Sequence, residues 1–101
     1  MNKLLVTIAL LLSSSVYAAT PTPDELCDGW ANKAKQYMEV RQNGTPIHEA
    51  MKMTIGNYSR GLMLRAFDEP VAARAEEKLS IIKTFSGIIK TECLENHKDM
   101  N

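Results

Sequence analysis

The chain has 101 residues, with 12 Lys plus Arg against 12 Asp plus Glu. That length supports one domain. A balance this even argues against nucleic-acid or polybasic membrane-surface binding, which rests on clustered basic charge.

Met1-Asn2-Lys3 supplies a short positive start, and Leu4 to Leu12 is apolar except for Thr7. Ser13-Ser14-Ser15 and Val16-Tyr17-Ala18 follow, with small residues where a signal peptidase reads. A membrane-spanning helix needs about 20 apolar residues, and this run is too short. Residues 1–18 are therefore expected to be a signal peptide cleaved after Ala18, with Ala19 as the second choice and an uncleaved anchor as the alternative. Asp24-Glu25-Leu26 ahead of Cys27 lacks the small residues of a lipoprotein site. The mature chain is expected to be periplasmic or secreted, without stable membrane insertion. Loss of Lys3 leaves eleven basic against twelve acidic side chains.

Residues 19–22 are expected to be a flexible lead-in, residues 23–96 the helical domain and residues 97–101 a C-terminal tail. Thr22-Pro23-Asp24-Glu25 is a dense helix start: a threonine cap, proline at the first helical position, and Glu three residues after the cap. The first helix runs from Pro23 to about Gln42, where Asn43-Gly44 supplies a left-handed stop. Leu26, Cys27, Trp30, Ala31, Ala34, Tyr37 and Met38 share an arc of about 140°. Thr45-Pro46 repeats the device and starts a second helix, broken at Gly56-Asn57. Ser59 caps a third, from about Arg60 to Phe67. Asp68-Glu69-Pro70 opens the longest, from Pro70 to about Glu95. Its stripe is Val71, Ala75, Leu79, Ile82, Ile89 and Cys93.

Two cysteines in an oxidising compartment allow one intramolecular pairing, Cys27 with Cys93, 66 positions apart. The chain-entropy model gives such a loop about 4 kcal/mol, comparable to what the core of so small a domain supplies. A pair of free buried thiols is the alternative. No Cys-x-x-Cys occurs, which argues against disulfide exchange chemistry. Short connections make neighbouring helices antiparallel, so the start of the first helix lies beside the end of the last. The expectation is an all-α, four-helix bundle closed by that disulfide.

Ile81, Phe85 and Ile88 form a shoulder beside the last helix's stripe. Either that helix is central and packs on two or three neighbours, or the shoulder is a docking surface for a partner protein or a second copy. Met38, Met51, Met53 and Met63 suit either role. Arg41 falls in the middle of the first helix's apolar arc. It snorkels or caps carbonyls at the helix end, pairs with a carboxylate such as Glu49 or Asp68 as a buried polar group, or binds a ligand directly.

His48-x-x-Met51-x-Met53 has the ligand types of a copper carrier. Met53 lies about 160° from Met51 around a helix, so the three do not converge, and His97 joins only by folding back. No metal and no cofactor is expected. The adjacent carboxylate pairs belong to helix starts or solvated faces. No nucleophile context, phosphate loop or haem-attachment sequence occurs, so an enzymatic role is not expected.

The run Cys27…Trp30-Ala31…Ala34…Met38…Arg41-Gln42-x-Gly44, with a last cysteine near the chain end, resembles small, exported, uncharacterised helical two-cysteine proteins of Gram-negative bacteria and their phages. The likeness covers most of the mature chain in layout but only the first helix in residues. The layout is also similar to the HdeA-type periplasmic acid-stress chaperones, although the cysteines here lie nearer the chain ends. These resemblances imply an exported helical module that docks on and modulates an envelope or cell-wall protein, or an acid-activated chaperone. The third class is an export-associated structural protein with no discrete ligand.

Overall fold

The computed structural model describes residues 21–96. The export segment expected at residues 1–18, the first half of the lead-in (19–20), and the tail with His97 lie outside the described residues. Four α-helices occur among the described residues: α1 (Pro23–Gln42), α2 (Ile47–Met51), α3 (Gly56–Phe67) and α4 (Ala75–Asn96). No strand occurs among the described residues.

Both ends of α1 follow from local sequence. Thr22 Oγ1 accepts from the Glu25 N–H at 3.1 Å, and the Glu25 carboxylate accepts from the Thr22 N–H at 2.9 Å. This reciprocal box satisfies two of the helix's free donors. At the other end Gly44 adopts φ +84°. The Gly44 N–H donates to the Arg41 carbonyl and the Thr45 N–H to the Val40 carbonyl, the bond pattern of a glycine-terminated helix.

The next two starts differ from expectation. Pro46, not Thr45, takes the capping position of α2, with no side-chain cap, and the Thr45 N–H belongs to the end of α1. The Pro46 carbonyl instead accepts from the Glu49 and Ala50 N–H groups. Gly56-Asn57 begins α3 rather than breaking a helix. Gly56 turns the chain at φ +87°, a region that favours glycine. Ser59 therefore lies inside the first turn, where its hydroxyl accepts from the Ile55 N–H at 3.1 Å.

The largest correction concerns α4, which begins at Ala75 and not Pro70. Residues 68–74 form a strap held by the end of α1. Arg41 Nε donates to the Glu69 carbonyl at 2.7 Å, and Gln42 Nε2 to the Pro70 carbonyl at 2.9 Å. Gln42 Oε1 accepts from the Ala72 N–H at 2.9 Å. These bonds hold the strap's backbone groups on α1, in place of the first helical turn expected from Pro70.

α1 and α4 run antiparallel. Cys27 is disulfide-bonded to Cys93 with their Cα atoms 5.4 Å apart. Ser86 Oγ donates to the Ala31 carbonyl at 2.8 Å midway along, and Lys78 Nζ to the Gln42 carbonyl at 2.8 Å at the far end. The central helix is α1, not α4 as the broad apolar arc suggested: α1 packs on α4 along its length and also on α3 and α2. Its buried face supplies Ala34, Tyr37 and Met38 to a core completed by Ala50, Leu62, Met63, Ala66, Ile82, Phe85 and Ile89.

Candidate functional site

The apolar face of α4 is narrower and rotated relative to the expected stripe. Ile82, Phe85, Ile89 and Cys93 are buried, whereas Val71 and Leu79 are exposed. The position of the first turn that faces the end of α1 belongs to Lys78, whose ammonium caps the Gln42 carbonyl. This displaces Leu79 to the side.

The three shoulder residues separate accordingly. Phe85, expected on a docking surface, is 7% exposed and belongs to the core. Ile81 is half-buried against that core, and Ile88 is 44% exposed. They nevertheless stay together. Ile81, Ile88 and the edge of Phe85 line a shallow cleft completed by Ser80, Thr84 and Glu69. Glu69 belongs to the strap and the other five to α4.

Arg41 explains how Glu69 reaches this rim. The side chain is half-buried, and its place as a buried polar group belongs to its neighbour Gln42, which is 1% exposed. The Arg41 guanidinium lies 5.0 Å from the Phe67 ring centroid and donates to the Glu69 carbonyl. It pairs with neither Glu49 nor Asp68. The ring face and the carbonyl favour the cation where water is only partly excluded. Gln42 also reaches Met38 Sδ at 3.7 Å. One turn after Met38 on the buried face, Gln42 carried a legible signal, but its polar type made it look like the end of the pattern.

A second buried polar pair lies deeper, where Tyr37 and Ser59 share a hydrogen bond of 2.6 Å between their hydroxyls. Nearby, Trp30 meets Tyr58 edge to face with ring centroids 4.5 Å apart. Arg65 on α3 makes a two-pronged contact with Glu92 on α4, at 2.6 and 3.0 Å. The guanidinium holds the Glu92 carboxyl below the usual carboxylate range, and Glu92 in turn raises Arg65. Burial, then the Glu92 charge, pushes the Tyr58 hydroxyl up. Near the disulfide, Lys90 Nζ meets Asp28 at 2.8 Å, which raises the lysine.

The methionines divide between core and surface. Met38 and Met63 are fully buried, Met51 is half-buried against the core, and Met53 is exposed. His48 is exposed with Nε2 3.6 Å from Glu49. Among the described residues, no three His, Cys, Asp or Glu side chains are grouped to hold a metal ion. Nor is any helix among them long and apolar enough to cross a membrane. The disulfide is compatible with an oxidising compartment. No family model, no curated protein and no solved structure matches the chain.

Proposed function

We propose that the protein is an exported, periplasmic helical module that docks on an envelope or cell-wall-associated protein and modulates it, acting through contacts rather than chemistry. The observation that carries this reading is the Ile81/Ile88 cleft on α4, with Glu69 at its rim. An exposed isoleucine beside a core phenylalanine and a single carboxylate suits a partner that offers an apolar side chain next to a basic one. The lysine-poor margin of the cleft favours that charge pattern over an acidic partner. Two rigid supports hold the rim in place before binding, Arg41 on Glu69 and Gln42 on Pro70, which lowers the ordering cost of association.

The test is a photo-crosslinking side chain placed at Ile88 or at Leu64, an exposed apolar residue on α3, in cells that export the protein. A discrete crosslinked species from position 88 and none from position 64 supports the reading. Equal crosslinking from both positions, or none from 88, overturns it.

The acid-activated chaperone of the HdeA type has one observation in its favour. The ion pair between α3 and α4 depends on Glu92 remaining ionised, so acid removes a tie between those helices. Suppression of client aggregation at low pH separates this reading from the first. A chaperone protects clients in acid even when Ile88 is replaced, whereas a docking module does not.

A further inference from the structure

On the other side of α4, about 180° around the helix from Ile88, two adjoining clefts run along the α1–α4 seam. One is lined by Lys35, Glu39, Leu79, Ile82, Lys83, Ser86 and Gly87. The other shares Glu39, Leu79 and Ile82 with it and continues toward Ala75, Asn43 and Lys78, whose ammonium already donates to the Gln42 carbonyl. Leu79 stands between them and is 66% exposed. Gly87 adds no side chain to the end of the first cleft, which stays open there.

Charge is distributed unevenly along this seam. Lys35 and Lys83 flank the Gly87 end. Glu39 lines both clefts, and Glu76 stands one turn before Leu79 on the outer face of α4. None of these four side chains has an ion-pair partner among the described residues. Glu76 precedes Leu79 by three positions and Lys83 follows it by four.

We infer that the α1–α4 seam is a two-fold interface that takes a second copy of this chain. Antiparallel pairing of two α4 helices with Leu79 near the axis sets Glu76 of each copy opposite Lys83 of the other. Both pairings recur by symmetry, as an isologous contact requires. The same operation covers both copies of Leu79. The pattern is self-complementary, which favours a second copy over an unrelated acidic or basic partner. It is independent of the Ile81/Ile88 cleft, which stays open on the far side.

The experiment is sedimentation velocity at neutral pH on protein recovered after expression of the full chain in an oxidising compartment. The wild type is expected to show a reversible monomer–dimer equilibrium between about 1 and 500 µM. Glu76→Lys and Lys83→Glu each set like charges across the axis and raise the dissociation constant at least about tenfold. The double variant E76K/K83E restores the wild-type constant to within about threefold, and an equimolar mixture of the two single variants forms the mixed dimer. Lys83 is exposed and mid-helix, so the melting point of Lys83→Glu stays near the wild-type value and serves as the folding control. Glu76→Lys puts a cation in the first turn of α4 and lowers its own melting point slightly. A wild type that stays monomeric throughout overturns the inference. So does a dimer that both single variants leave unchanged, or a double variant that fails to restore association.

Discussion

The side-chain amide of Gln42 donates to the Pro70 carbonyl across 28 positions of sequence, and the same side chain accepts from the Ala72 N–H. One buried residue thus supplies both a donor and an acceptor to the strap that leads into α4 and carries Glu69 to the cleft. Gln42→Ala leaves both strap groups without their partner, at an expected cost of about 1–3 kcal/mol. Urea unfolding measures that loss, and hydrogen exchange locates it: the Ala72 amide loses protection while the amides of the α1 core keep theirs.

The disulfide ties the first turn of α1 to the end of α4 across 66 positions of sequence. Cys27→Ser under oxidising conditions is expected to lower stability by several kcal/mol, about 4 in the chain-entropy model, with a matching fall in the thermal midpoint. An unchanged midpoint contradicts the staple. Reduction of the wild type should reproduce the loss, because the 66-position loop is the same.

Tyr37 and Ser59 respond unequally to replacement. Tyr37→Phe removes one hydroxyl and leaves Ser59 its bond from the Ile55 N–H, at a cost of about 1 kcal/mol. Ser59→Ala deprives both the buried Tyr37 hydroxyl and the Ile55 N–H, so its cost exceeds that of Tyr37→Phe. Chemical denaturation of the two variants gives the order, and a reversed order contradicts the assignment.

Acid acts on the Arg65–Glu92 pair in a defined direction. The folded protein holds Glu92 below its ordinary value of 4.5. The pair's contribution is therefore full above that value and is lost as pH falls through the lower, folded one. The side chains are 45% and 43% exposed, so solvent screening keeps the contribution to a few tenths of a kcal/mol, about that of other exposed pairs. Glu92→Gln should remove this part of the pH dependence and leave stability near neutrality slightly lower. Melting curves from pH 7 to 3 record both effects.

The elements that sequence made legible are those settled within a few residues. Thr22, Pro23 and Glu25 write the start of α1, and Asn43-Gly44 its end, because a cap needs only its own turn. The pairing of Cys27 with Cys93 followed from count and from antiparallel topology. The start of α4 was not legible, since it depends on Gln42 reaching a carbonyl 28 residues away. Leu79 and Phe85 changed places for a related reason. Periodicity places residues on a wheel but does not say which arc faces the neighbour, and Lys78 capping α1 fixes that rotation. Arg41 stands out in sequence as a charge within the apolar arc of α1, but its partners, a backbone carbonyl and a ring face, leave no trace there.

The central claim, a partner-binding cleft at Ile81 and Ile88, is tested most directly by affinity capture from periplasmic extract. The baits are the wild-type protein and Ile88→Asp, with eluates compared by mass spectrometry at neutral pH and after an acid step. A single stoichiometric protein, held at neutral pH by the wild type and lost with Ile88→Asp, is the predicted result. Capture that Ile88→Asp leaves unchanged, many unrelated proteins recovered only after acid, or an empty eluate at both pH values contradicts it.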